Sequence, residues 1–138
     1  MAQSSRFALS LKILTLLAAE PDSRHTSARI AERLAESAVM VRRTFLLLHK
    51  QGLIAQRKGP NGGAKLKLPA KQIGLGDIYI ATEDTWLTLD DPALAGPLKR
   101  ARTEALASLN ETTLAQLLKR IKKHAPQKAD APPKKGAS

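Results

Sequence analysis

Arg42 and Arg43 stand together in "SAVMVRR" (37–43), and a second basic group, Arg57, Lys58, Lys65 and Lys67, brackets a tip of three glycines, a proline and an asparagine, "GPNGG" (59–63). Neither group contains a nucleophile; what such cations do well is bind anions. Arginine can grip guanine O6 and N7 bidentately, and an apolar neighbour such as Val39 or Met40 can touch a thymine methyl. A tip without side chains lets backbone N–H groups approach phosphates closely while the flanking cations supply charge. The plainer readings are a charged helix surface that pairs Arg42 and Arg43 with Glu32 or Glu36, and a tight hairpin bathed in water. Recognition is favoured because a pair of short helices precedes the hairpin.

A third cluster is acidic. Glu83, Asp84, Asp90 and Asp91 could surround a hard cation, but their order lacks a calcium-loop pattern, and an acidic loop that avoids nucleic acid is the stronger reading. Trp86, the only tryptophan, either plugs a subunit interface or lines a small-ligand pocket; the plug is favoured because buried aromatics are more often packing. His25, His49 and His124 are distant in sequence and form neither a metal site nor a catalytic pair. No glycine-rich phosphate loop joins a strand to a helix, and no nucleophile, base and orienting group can be assembled, so no enzyme is expected. With no cysteine in the chain, disulfides, thiolate-ligated zinc and cysteine-ligated iron–sulfur clusters are excluded, and no cofactor is expected.

The charge points the same way. A net +11 and a pI near 10.4 call for a polyanionic partner, nucleic acid before an anionic membrane. It is segmented: +9 over residues 1–72, −5 over 73–98 and +7 over 99–138. The longest strongly apolar run, "ILTLLAA" (13–19), is far short of the roughly 20 residues of a membrane span, so a soluble cytoplasmic protein is expected.

The elements that must position these groups follow from periodicity. Phe7, Leu11, Leu14 and Ala18 recur at helical spacing up to Pro21, in a first helix apolar on nearly every side, which demands burial on more than one face. Thr26 or Ser27 caps a short helix with Ile30 and Leu34 on one stripe. Ser37 caps the next, which sets Val41, Phe45 and Leu48 on one face and ends at Gly52. The strands "LIAQRK" and "AKLKL" flank the glycine tip, with Leu66 and Leu68 alternating against Lys65 and Lys67. A helix over 75–83 follows, then an acidic linker of loop or short turns over 84–97. A helix over 98–109 carries Leu98, Ala101, Ala105 and Leu109 along one face, the expected dimerisation stripe. Thr113 caps a last helix with Leu114, Leu117, Leu118 and Ile121 aligned. From Ala125 the basic tail has almost nothing to bury and is expected to be disordered.

Helix, turn, second helix and basic hairpin form the layout of a winged helix-turn-helix. The stretches "RFALSLKILTLLA", "TSARIAERLAESAVMVRRTFLLLHKQGLI", "KGPNGGAKL" and "IGLGDIYIATE", with a later "LNETTLAQLL", resemble the Rrf2 family of small bacterial regulators, the IscR, NsrR and CymR type, from about Arg6 to Leu118. The resemblance implies homodimeric DNA binding, usually repression, with the second helix in the major groove and the wing in the minor groove. It places Val39, Met40, Arg42 and Arg43 on the recognition helix and Lys58, Asn61, Gly62 and Gly63 on the wing. Sensor members hold an iron–sulfur cluster on three cysteines between the short helix and the long one; here that stretch is "DTWLTLDDPALAGP", which cannot.

The expected architecture is therefore mainly α. Residues 1–83 form the DNA-binding unit, 84–97 a linker, 98–124 the dimerisation helices and 125–138 a tail. The expected function is a sequence-specific, homodimeric repressor of a palindromic operator, with Ser37, Val39, Met40, Arg42, Arg43, Arg57, Lys58, Asn61, Gly62, Gly63 and Lys65 at the DNA. The alternatives are a non-specific nucleoid-associated or RNA-binding basic protein, which would not need arginines on a leading helical turn, and a protein-interaction adaptor, whose binding should not carry a steep salt dependence.

Overall fold

The computed structural model describes residues 2–83 and 90–130, with side chains over 6–83 and 90–124. Among these residues the order is α1 (Ala2–Ala19), α2 (Ser27–Leu34), α3 (Ala38–Lys50), β1 (Ile54–Arg57), β2 (Gly63–Leu66), a 3-10 turn (Ala70–Gln72), α4 (Leu75–Thr82), α5 (Pro92–Leu109) and α6 (Leu114–Asp130). The fold is mainly α with a two-stranded antiparallel wing.

The core gathers around α1. Ile13, Leu14 and Leu17 are fully buried and Leu9 nearly so, against Ile30 of α2, Val41, Phe45 and Leu48 of α3, Ile54 and Ala64 of the hairpin, Ile78 of α4 and Leu114 at the start of α6. Phe7, Leu11, Leu16 and Ala18 cover the remaining faces of the helix, half-buried against the same cluster. The burial that α1 demands on more than one face is supplied within its own chain by α3, α4, α6 and β2. Each such Leu or Ile contributes about 1.5–3 kcal/mol by leaving water. The Phe7 ring meets Tyr79 edge-on at 4.9 Å, and Arg6 reaches Glu83 at 3.1 Å, so α4 lies along α1 near its N-terminal end.

The second half differs from the sequence reading in where its helices begin and end. Residues 92–97 are helical rather than loop. The Asp91 carboxylate accepts from the Ala93 N–H at 2.9 Å and Pro92 occupies the first helical position, where its missing N–H costs nothing. Pro97 inside the helix removes one backbone bond but not the helix. None of the described side chains of α5 is buried. For α6, the Thr113 Oγ1 accepts from Gln116 N at 3.2 Å and the Gln116 Oε1 accepts from Thr113 N at 2.9 Å, a capping box. Its stripe leaves the core progressively, from buried Leu114 to Ile121 at 41% exposed. α6 extends to Asp130, past Ala125 where the tail was expected to start. Trp86, Asp84 and residues 131–138 lie outside the described residues.

Candidate nucleic-acid interface

The helix pair is built by its caps. The Thr26 hydroxyl accepts from Arg29 N at 3.1 Å to start α2, and Ala35 ends it in the left-handed region at φ 56°. The Glu36 N–H returns to the Ala31 carbonyl at 2.9 Å. Ser37 then caps α3, accepting from Met40 N at 3.4 Å, so Ser37 holds the first turn of α3 in place. The inward face of α3 is Val41, Thr44, Phe45 and Leu48, the expected stripe with one addition, Thr44, whose hydroxyl is satisfied by the Met40 carbonyl at 2.8 Å.

Everything opposite that face is available. Arg42 and Arg43 are exposed and, at about 100° apart on the helix, they point to its two flanks. Arg42 looks toward the wing and Arg43 toward a shallow hollow shared with Arg6, Met40, Thr44, Leu46 and Leu47. Val39 is 48% and Leu46 63% exposed, whereas Met40 is half-buried and packs against the core, so its role is shared between packing and surface. Of the two expected competitors for the arginines, Glu36 is engaged elsewhere, with Lys12 at 3.5 Å, and Glu32 pairs with neither arginine among the described residues. Among the described residues Arg42, Arg43, Arg57, Lys58 and Lys65 form no ion pair.

The wing pairs Ile54 with Leu66, Ala55 with Lys65, Gln56 with Ala64 and Arg57 with Gly63. Leu68 falls beyond its end, 37% exposed. Arg57, Lys58 and Asn61 are exposed, while Lys65 is half-buried along the sheet. Asn61 sits at φ 64° and Gly59 at φ 89°, a tight left-handed tip. Its glycines have separate reasons. A Cβ on Gly59 would meet nothing within 4 Å, one on Gly62 would run into the Arg57 carbonyl, and one on Gly63 (φ 124°) would lie 2.6 Å from the His25 carbonyl carbon. Gly62 and Gly63 are thus required by the wing itself, whatever else they touch.

His25 is the hidden third rung. Its N–H donates to the Ala64 carbonyl at 3.0 Å and its carbonyl accepts from Ala64 N at 2.8 Å, while Arg24 Nη1 reaches the Gly63 carbonyl at 3.3 Å. The ring is 1% exposed, neither ring nitrogen has a hydrogen-bond partner among the described residues, and Nε2 lies 3.5 Å from Glu20 Oε1. Burial pushes its pKa below the ordinary 6.5, with Arg29 and Arg33 adding to the fall and Glu20 opposing it. No period in the sequence marks a single-residue bridge.

Between α3 and the wing lies an open cleft of about 550 Å³, lined by Thr26 and Ser27 at the start of α2, by Arg42, Leu46 and His49, and by Gln56 to Gly59, Gly62 and Gly63 of the hairpin. Of the candidate residues it brings together Arg42, Arg57, Lys58, Gly62 and Gly63; Arg43 and Met40 face the other flank, and Val39 the crown. Sequence reasoning missed Leu46, His49 and Gln56, although Leu46 stands seven residues, two turns, after Val39. The acidic cluster divides: Glu83 is bound to Arg6 and Asp91 caps α5.

The chain matches the Rrf2 family, described as "Iron-dependent Transcriptional regulator", over residues 3–120. A 57-residue stretch is 39% identical to a protein of Haemophilus influenzae named as an HTH-type transcriptional regulator, covering 41% of this chain and 38% of that one. The match therefore spans well under half of that relative. Among solved structures, oxidized CymR of Staphylococcus aureus is 28% identical with a TM-score of 0.64, covering 86% of this chain and 96% of that one. A transcriptional regulator from Lactobacillus plantarum shares the fold at TM-score 0.68 and 24% identity, over 91% and 97% of the two chains. The family's iron does not fit the residues present: the sequence holds no cysteine, and among the described residues no three His, Asp or Glu side chains come together to hold a metal ion.

Proposed function

The chain belongs to the Rrf2 family of DNA-binding transcriptional regulators, and from that premise we propose that it is a homodimeric cytoplasmic repressor. It reads an imperfectly palindromic operator with α3 (recognition helix 38–51) in the major groove and the wing (53–68) against the minor groove. The observation that carries this reading is the pair of guanidinium groups, without an ion pair among the described residues, on the outward side of a capped helix and beside a cleft walled by a basic wing. Arg42 and Arg43 read bases, with Val39, Leu46 and the exposed part of Met40 as apolar contacts. Arg57, Lys58, Lys65 and Asn61 hold the backbone, while Gly62, whose N–H closes the tip on the Gly59 carbonyl at 2.9 Å, and Gly63 keep the tip slim enough to approach it. Ser37 orients the reading turn.

The reading assigns residues 1–83, completed by the first turn of α6, to DNA and α5 to pairing. Leu98, Ala101, Ala105 and Leu109 form its stripe, and Leu94, 43% exposed, extends it by one turn. Two such helices about a two-fold axis would cover both stripes and turn two recognition helices toward one face of DNA. No helix of the described residues is long and apolar enough to cross a membrane.

The test is selection of bound duplexes from random DNA by the purified chain, followed by titration at several salt concentrations. The expected product is a two-fold-related pair of half-sites about one helical turn, or a multiple, apart, bound at least about a thousandfold more tightly than random duplex. Recovery of no preferred sequence would leave a non-specific basic protein instead.

A further inference from the structure

α5 has an unusual attachment. It carries no buried side chain among those described, so its angle to the DNA-reading unit rests on its close backbone approach to α4 and on the polar contacts at its end. α4 begins at Gly74, whose position as N-cap calls for a side-chain acceptor that glycine lacks. The acceptor comes from 33 residues away: Asn110 Oδ1, at the end of α5, accepts from Asp77 N at 3.0 Å. The Asp77 carboxylate returns the arrangement, its Oδ2 accepting from Gly74 N at 3.0 Å and its Oδ1 facing the Asn110 amide Nδ2 at 3.5 Å. The Asn110 N–H closes its own helix on the Leu106 carbonyl at 2.9 Å. One residue thus caps the first turn of α4 with its side-chain amide and ends the last turn of α5 with its backbone N–H.

The surroundings are shaped for that contact. A Cβ on Gly74 would collide with the Asn110 amide, and one on Gly76 would stand 2.5 Å from the Leu106 carbonyl oxygen. Leu75 N donates to the Thr112 carbonyl at 3.0 Å and Leu114 N to the Ile73 carbonyl at 2.7 Å, holding the turn after α5 against the entry to α4. On its other side α4 packs on α1 and α3. Among the described residues, Asn110 supplies the side-chain hydrogen bonds between α5 and α4.

We propose that Asn110 is a positioning residue whose cap on α4 fixes the angle of α5, and through it the distance between the two recognition helices, so that the protein discriminates operators by half-site spacing. The inference rests on the dimeric reading above. Leverage makes the angle matter: an 18-residue helix is about 27 Å long at about 1.5 Å per residue, so a swing of about 10° at one end moves the other by about 5 Å. That exceeds the base-pair rise of about 3.4 Å.

The experiment uses the full chain, the operator it selects from random DNA, versions of that operator with one base pair added or removed between half-sites, and a duplex with one half-site. Light scattering and circular dichroism accompany each titration. Wild type is expected to lose about tenfold or more in affinity when the spacing changes by one base pair. Asn110→Ala and Asn110→Gln are expected to remain dimeric and folded and to bind the single half-site within about twofold of wild type. They should bind the optimal operator about tenfold more weakly and show a flattened spacing profile. Asn110→Asp sets two carboxylates together and should fail likewise, whereas Asp77→Asn combined with Asn110→Asp exchanges the partners, keeps every bond, and should restore the profile. Asn110 variants that keep the wild-type spacing profile, that lose affinity equally on the half-site, or that unfold while the exchange fails to rescue them, overturn the clamp alone. A wild-type chain that selects single half-sites overturns the dimer reading and the clamp with it.

Discussion

Gly63→Ala should loosen the wing from the body of the protein, and the structure sets the size of the effect. The native φ of 124° is one that alanine adopts only at about 1–3 kcal/mol of strain. The new Cβ would lie 2.6–2.9 Å from three backbone atoms of His25, so the strands must part there. Parting them breaks the two His25–Ala64 bonds, each worth about 0.5–1.5 kcal/mol net. The total, roughly 2–6 kcal/mol, is a large share of the roughly 5–15 kcal/mol that holds a domain of this kind together. Urea unfolding followed by circular dichroism reads the global loss, and amide exchange at Ala64 relative to Leu14 shows whether the wing opens first. Gly59→Ala is the control, since its Cβ meets nothing and only the strain of φ 89° remains. Should Gly63→Ala unfold within about 0.5 kcal/mol of wild type, with Ala64 still protected, the wing is not anchored as described.

Arg42→Ala and Arg43→Ala should each cost about 1–3 kcal/mol on the selected operator and relax preference at one position per half-site, whereas Lys58→Ala should weaken all sequences alike; equal losses on operator and random DNA for all three would undo the division of roles. Because burial lowers the pKa of His25, the unfolded chain takes up its proton first as pH falls below about 6.5. The stability due to a neutral His25 is therefore present above that pH and lost on the way down to the depressed folded value. Thermal melts from pH 7.5 to 5 should decline more steeply for wild type than for His25→Leu, and parallel curves would refute the assignment. Ala105→Glu, in the middle of the α5 stripe, should give folded monomers by light scattering that bind DNA far more weakly; a dimer of normal mass would mean that the apolar surface is covered elsewhere. Anaerobic incubation with iron and sulfide, then desalting, should leave the protein colourless, and a retained visible band would overturn the reading that nothing here ligates a cluster.

What the sequence made legible was local. The stripe Val41, Phe45 and Leu48 and the caps Thr26 and Ser37 are signals carried within one or two helical turns, and each is where it was read. So is the hairpin tip, which glycine, proline and asparagine announce. What stayed hidden shares one cause, a partner distant in the chain. α1 looks unburiable until four other elements are folded around it. Gly63 reads as a means of approaching DNA, and the His25 backbone beneath it adds a second reason for glycine that the local sequence does not show. Asn110 reads as an ordinary helix end until Asp77 is placed opposite. The start of α5 was obscured differently, by two prolines and a run of acids that are common in loops yet, with Asp91 as cap and Pro92 at the first position, are equally suited to opening a helix.

The side chains that carry negative charge argue for orientation more strongly than the net charge does. Glu20 is held by Arg33 at 3.3 Å, Glu36 by Lys12 and Glu83 by Arg6, so three of the acids on the winged unit are neutralised by cations of α1 and α2. None of these pairs draws on α3 or the wing. At physiological ionic strength the screening length is only about 8 Å, so distant parts of a +11 chain do little at the moment of contact and the local balance decides. That balance is positive where Arg42, Arg43, Arg57 and Lys58 stand exposed around the cleft and the crown of α3. A polyanion meeting this chain is therefore drawn to the face that carries Arg42 and Arg43, the side chains proposed to read bases.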